Sequence, residues 1–158
     1  MGTRLTPEQL LEQQPYCVLS TCDRTCLPWV TPMYYGYDKQ WQIYWISARS
    51  SFHSRLLVDN PYAAVVIYNP PDSGGEVSAL YLTGFVAECG EHELEEALGF
   101  YLQRGEAIVS RNPKDYLHTN PSRMYRLESS RAFTLGEAEW DGNLLVDKRI
   151  EVPIPKAR

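Results

Sequence analysis

Residues 41–55, Trp41-Gln42-Ile43-Tyr44-Trp45-Ile46-Ser47-Ala48-Arg49-Ser50-Ser51-Phe52-His53-Ser54-Arg55, open as an apolar, aromatic run and close as a cluster of hydroxyls and cations. Trp41 to Ile46 carries the β-branched and aromatic side chains of a strand. From Ser47 to Arg55, four serines, two arginines and one histidine crowd into nine positions, where the strand gives way to a helix running toward Asp59. Asn60-Pro61 closes that helix. Ser50 or Ser51 caps its start, and the free N–H groups and positive dipole end of such a terminus suit a phosphate. Arg49, His53 and Arg55 can add charge-assisted hydrogen bonds. The same residues also read as an ordinary serine-rich junction with solvated arginines, so the surrounding chain has to decide.

Upstream, Thr6-Pro7-Glu8-Gln9 is a capping box with proline at the first helical position, which predicts a helix from Pro7 to Gln13 within residues 1–14. Tyr16 to Thr21 reads as a strand, turned through Asp23-Arg24-Thr25-Cys26 into a second strand from Pro28 to Tyr37. Pro28 and Pro32 have no N–H to donate, which places this second strand at a sheet edge or against a ligand. Downstream, Tyr62 to Tyr68 is almost continuously apolar, the pattern of a central strand buried on both faces. Asn69 to Gly75 pairs prolines with glycines and reads as a loop. Leu80 to Cys89 is a strand interrupted by Gly84, where a bulge or a close backbone approach is expected. Glu91 to Arg104 is helical, with Leu94, Leu98 and Tyr101 on one face and solvated acids near its start. Pro113 to Leu117 reads as a helical turn, Met124 to Leu127 and Arg131 to Leu135 as two further strands, and residues 136–158 as a tail carrying Trp140.

The chain has 158 residues, 44% hydrophobic and 22% charged, which suits one globular domain spanning 1–158. A net charge of -5 argues against nucleic acid or an anionic membrane as partner. No long apolar stretch follows the N-terminus and no window suits a membrane span, so a cytoplasmic protein is expected. Cys17, Cys22, Cys26 and Cys89 are then expected as thiols, and the Cys22-x3-Cys26 spacing lacks a matching ligand pair, so no metal site is expected. The fold class expected is mainly β (α+β), a six- to seven-stranded antiparallel barrel, closed or split, with flanking helices, because short strands joined by antiparallel-style turns dominate and βαβ alternation and the glycine-rich nucleotide loops are absent; the resemblance that follows implies the split β-barrel.

The order of pieces resembles the flavin mononucleotide (FMN)-binding split barrels of the pyridoxamine 5′-phosphate oxidase-like family. The matching stretches are Leu19-Ser20-Thr21, Leu27 to Pro32, Ile43 to Ser47 leading into Ser51-Phe52-His53, Asn60-Pro61, Ala64 to Tyr68 and Leu82 to Val86. The resemblance covers roughly Leu5 to Leu135. It implies a homodimer in which both chains contribute to each flavin site. Trp29, Val30, Thr31 and Pro32 would line the isoalloxazine ring. Ile46, Ser47, Ser51 and His53, with Arg49 or Arg55, would hold the ribityl and phosphate groups, and Trp140 lies where family tails reach across the dimer. Taken alone, Trp29 also reads as a core aromatic and Arg55 as a solvated helix charge.

Two departures bear on activity. Residues 28–33 hold no basic side chain to grip the flavin phosphate, and the C-terminus lacks the Arg-x-His of the vitamin-synthesising oxidases. The expectation is therefore an FMN-dependent oxidoreductase acting on a small molecule, not a true pyridoxamine phosphate oxidase. Tyr34, Tyr35 or Tyr101 are candidate substrate contacts, and the flavin supplies redox chemistry that the side chains do not. The alternatives are a related barrel binding a deazaflavin or haem, or a non-catalytic flavin-binding or sensing protein.

Overall fold

The computed structural model describes residues 4–70, 77–105 and 108–156. Helix α1, Pro7–Gln13, begins as its sequence dictates: Thr6 Oγ1 accepts from Gln9 N–H, and Gln9 Oε1 accepts from Thr6 N–H. Its Leu10 and Leu11 are buried and join the core beneath the sheet.

Strands β1 (Tyr16–Cys22), β2 (Pro28–Tyr34), β3 (Gly36–Tyr37), β4 (Ile43–Ala48), β5 (Tyr62–Asn69), β6 (Ser78–Glu88) and β7 (Ser122–Leu135) form one curled antiparallel sheet. Their order is β2-β1-β5-β6-β7-β4-β3, and β10 (Arg149–Val152) pairs with β7 beyond β4. Helix α2, Phe52–Asp59, packs over β1 and β2, and helix α3, Leu94–Leu102, packs outside β3, β4 and β7. A 3-10 turn at Pro113–Tyr116 leads into β7. The molecule is an α+β split β-barrel of the expected class.

Alternation along the strands separates two apolar clusters. Leu19, Ile43, Trp45, Val65, Leu82, Tyr125 and Leu127 fill the inside of the curl. Tyr44, Met124, Leu94, Leu98 and Tyr101 pack between the sheet's outside and α3. Two glycines permit close approaches. A Cβ on Gly84 would stand 1.9 Å from the Glu128 carbonyl oxygen, and one on Gly36 would stand 2.5 Å from that of Phe100. The register between β6 and β7 shifts at Thr83/Gly84, the irregularity expected there.

Several expectations need correcting. The second strand does not run on to Tyr37: Tyr35, fully buried in the core, divides it into β2 and β3. β5 lies within the sheet between β1 and β6, but it is not buried on both faces. Ala63, Val65 and Ile67 point into the core, whereas Tyr62 and Tyr68 on the other face are exposed. Arg131 to Leu135 is no separate strand; Ser130 is the extra residue of the bulge, and β7 continues through it. Helix α3 is shorter than Glu91 to Arg104, because residues 91–93 form a turn whose Glu93 carboxylate accepts from the Gly90 N–H. Of the loop expected at Asn69 to Gly75, Pro71 to Gly75 lie outside the described residues. The tail forms a hairpin, β8 (Glu139–Asp141) with β9 (Leu144–Val146), before β10. Among the described residues no helix is long and apolar enough to cross a membrane.

Candidate functional site

Among the described residues, strand β2 pairs only with β1, so its other edge leaves backbone N–H and C=O groups without sheet partners. The two prolines and this edge position agree, as the missing donors require. The strand is also exposed on both faces over Trp29, Val30 and Pro32. Trp29 is therefore not a core aromatic. Its indole Nε1 donates to Thr31 Oγ1 at 3.0 Å, and its ring meets that of Phe52 edge-on, centroids 4.8 Å apart. Phe52 is the first residue of α2, so this aromatic pair ties the open strand to the start of the helix.

Ser51 caps α2: its Oγ accepts from the Ser54 N–H at 3.4 Å. Of the two serines offered by the sequence, it is Ser51 and not Ser50. Within one turn the cluster closes on itself. His53 Nε2 lies 2.8 Å from Ser47 Oγ and 3.1 Å from Ser51 Oγ, and Ser51 Oγ donates to Ser54 Oγ at 2.8 Å. Thus the end of β4 and the first turn of α2 bring Ser47, Ser51 and His53 to one point. Burial pushes the His53 pKa below that of a free imidazole, so the ring is neutral near pH 7. The site offers hydroxyl and N–H donors and the positive end of a helix dipole, with little full positive charge.

The remaining candidates are dispersed. Ile46 alternates with Ser47, so its side chain packs on the outside with the α3 cluster. Arg49 is taken by an ion pair with Glu88 at 2.8 Å, and Glu88 also meets the buried Arg123 at 3.4 Å. Arg55 is exposed, its guanidinium 5.6 Å from the centroid of the Phe52 ring. Trp140 sits on the β8–β9 hairpin and is 72% exposed. Of the substrate candidates, Tyr35 is withdrawn into the core, while Tyr34 and Tyr101 touch edge-on at 5.3 Å and line a cleft of about 590 Å³.

Three residues without an expected role stand close by. Phe52 and Ser54 lie within the opening stretch, and Tyr125 comes from β7. Tyr125 and Ser54 both line a cavity of about 220 Å³ between α2 and strands β6 and β7. Nothing local in the sequence links positions 54 and 125.

The four cysteines are free thiols, and Cys22 Sγ accepts from Asn60 Nδ2 at 3.0 Å. Among the described residues, no group of three or more His, Cys, Asp or Glu is placed to hold a metal ion.

An open strand edge beside an aromatic pair, ending at a hydroxyl-rich helix start, offers a flat group a backbone to lie along and an anion a terminus to dock on. Known proteins share this fold. A candidate 5-nitroimidazole antibiotic resistance protein from Bacteroides thetaiotaomicron superposes with a TM-score of 0.66 at 15% identity, over 80% of this chain and 79% of that one. HutZ, the haem storage protein of Vibrio cholerae, superposes with a TM-score of 0.66 at 14% identity, over 83% of this chain and 94% of its own. A haem-binding protein from Mycobacterium smegmatis gives 0.65 at 16% identity, over 93% of this chain but only 59% of that longer one. At such identities the likeness is one of fold. A comparison with curated protein sequences gives no match. The sequence pattern of pyridoxamine 5′-phosphate oxidase matches residues 7–130, most of the barrel and both halves of the site, and the chain belongs to that family.

Proposed function

We propose that the protein binds FMN and is an FMN-dependent oxidoreductase acting on a small molecule in the cytoplasm, without being a true pyridoxamine phosphate oxidase. The observation that carries this reading is the convergence of Ser47, Ser51 and His53 at the start of α2, beside the unpaired edge of β2. In this reading the hydroxyls, the imidazole and the first-turn N–H groups hold the phosphate, and β2 from Trp29 to Pro32 lines the ring. FMN, when bound, accepts or returns hydride or electrons. The protein's part is to bind, orient and shield, which needs no acid–base set. Tyr34 and Tyr101 are the substrate contacts this reading assigns. The lack of basic residues on β2 sets the chain apart from the vitamin-synthesising oxidases.

The same reading takes the working form to be a homodimer. Val30, Tyr62, Tyr68 and Phe85 are exposed on the sheet face opposite the core, and Tyr62 meets Phe85 edge-on at 5.9 Å. So much aromatic surface on one face suits burial against a second copy.

Haem is the second reading, since two structural neighbours are a haem-storage and a haem-binding protein. An imidazole free to ligate iron is what it would need; His53 spends Nε2 on two serines, and the exposed His92 and His118 lie away from that cluster in the chain.

Titrating purified protein with FMN and with haemin separates these readings. Quenching of flavin fluorescence with a yellow holoprotein supports the first, a Soret band without flavin uptake supports the second, and a protein indifferent to FMN refutes the proposed function.

A further inference from the structure

Three charged side chains frame the junction of β4 and α2. Arg49 stands two residues after Ser47 and two before Ser51, in the turn closed by the Ser51 N–H on the Ala48 carbonyl. Two residues span at most about 7 Å, so an arginine side chain rooted there reaches either serine. Ser47 lies directly opposite Arg123 in the β4–β7 ladder, and Glu88 directly opposite Tyr125 in the β6–β7 ladder. Opposed residues share a face, as do residues two apart on one strand, so Ser47, Arg123 and Glu88 point the same way. Glu88 and Ser54 also line one cavity, which brings the carboxylate to the first turn of α2. That carboxylate serves two guanidinium groups, Arg49 Nε at 2.8 Å and Arg123 Nε at 3.4 Å. The two are unequal. The Arg123 side chain is 7% exposed, and its terminal nitrogens donate to the carbonyl oxygens of His118, Asn120 and Ser122. It cannot turn to a ligand, and its buried charge needs Glu88 beside it. The Arg49 side chain is 58% exposed and gives Glu88 its Nε alone; its terminal nitrogens meet no acceptor among the described residues. One carboxylate against two guanidinium groups leaves one positive charge over, and the exposed partner is the one able to leave. The Arg49 backbone N–H stays on the Pro121 carbonyl at 2.9 Å, so only the side chain has to move.

We propose that Arg49 is the exchangeable cation of the site: Glu88 holds it until a phosphate at the start of α2 takes it, while Glu88 stays with Arg123. This rests on the flavin reading above and deepens it, because it adds a full positive charge to the hydroxyl and N–H donors and makes Glu88 the competitor that limits how tightly the phosphate is held. A phosphate accepts from a guanidinium fork through charge-assisted hydrogen bonds. Riboflavin, which has no phosphate, draws nothing from Arg49.

The test is a double-mutant cycle on the full chain, each protein titrated with FMN and with riboflavin. Arg49→Gln, at an exposed side chain, lowers FMN affinity by roughly 10-fold, the worth of a hydrogen bond between charged groups, and leaves riboflavin affinity as it was. Glu88→Gln removes the competitor for an exposed ion pair and raises FMN affinity by about 2- to 6-fold, again without touching riboflavin. In the Arg49→Gln background that gain vanishes. Glu88→Asp keeps a counter-charge for the buried Arg123 but is one methylene too short to grip Arg49 as well; it too raises FMN affinity, and it decides the matter if Glu88→Gln does not fold. An Arg49→Gln protein that binds FMN as the wild type does, a Glu88 variant that binds it more weakly, or a gain of the same size in both backgrounds, the mark of plain repulsion by Glu88, overturns the exchange while leaving the flavin reading intact. A wild-type protein that binds neither flavin overturns the flavin reading and this inference with it.

Discussion

Ser51 has two duties, capping α2 and facing the proposed phosphate, and the substitution Ser51→Asp separates them. Aspartate is as good an N-cap as serine and favours the positive end of the helix dipole, so its carboxylate can accept the Ser54 N–H that Ser51 Oγ now accepts. Folding stability should therefore hold within about 0.5 kcal/mol, whereas Ser51→Ala should lose about 1 kcal/mol with the cap. Ligand binding should respond in the opposite sense. A carboxylate about 4 Å from a phosphate repels it by about 1 kcal/mol per charge pair in water-like surroundings and about 4 kcal/mol at an effective dielectric near 20. His53 is half-buried and Ser51 part-buried, so the cost falls between these limits, and the lost donor adds roughly 1 kcal/mol. FMN affinity should drop by at least about 30-fold, with riboflavin much less affected. The assays are thermal unfolding followed by circular dichroism, and fluorescence titration with both flavins. A Ser51→Asp protein that is stable and still binds FMN as tightly as the wild type would refute the placement of a phosphate at this helix start.

Gly84→Ala would drive a methyl group to within 1.9 Å of the Glu128 carbonyl oxygen, so β6 and β7 must part at the bulge; a loss of about 3 kcal/mol is expected, read as a lower urea midpoint. Leu11→Ala, at a fully buried position under the sheet, should cost about 2–5 kcal/mol by the same measurement. Burial lowers the His53 pKa in the folded state, so just below the ordinary value near 6.5 the unfolded chain binds more protons than the native one. This group's share of stability is therefore present above that value and is lost as pH falls through the lowered one, and His53→Gln should flatten the acid limb of a stability–pH curve. The double variant Ser51→Ala/His53→Ala should weaken FMN by about 10- to 100-fold without abolishing the fold, since two donors to a charged group are removed; unaltered affinity would contradict the site.

What could be read from the chain was mostly local. The α1 capping box lies within four consecutive residues, and the two prolines of β2 forbid ladder donors wherever that strand pairs. Ser47, Ser51 and His53 lie within seven positions, so a strand running into a helix suffices to join them. The misreadings come from distant partners. Arg49 looked free to meet an anion, but Glu88, 39 residues on, holds it. Tyr62 to Tyr68 looked buried on both faces because its outward side chains are as apolar as its inward ones, and only the sheet's curl tells them apart. Met124 to Leu127 and Arg131 to Leu135 looked like two strands, yet the bulge opposite Gly84 absorbs the extra residue and β7 runs on. Trp41 and Tyr35 shift strand ends for tertiary reasons: Trp41 adopts φ +56°, with its carbonyl receiving the Ser129 hydroxyl, and Tyr35 turns its ring into the core beneath the Arg104 guanidinium.

The prolines of β2 have one more effect. An uncapped strand edge with an aromatic residue beside it is the kind of surface onto which other polypeptides add themselves, ending in aggregates. Pro28 and Pro32 withhold amide hydrogens at the two positions bounding Trp29 to Thr31, so an incoming chain finds an interrupted row of donors, whereas a small flat molecule needs only the short stretch between them. The strand can thus stay uncovered while empty without becoming a nucleus for self-assembly.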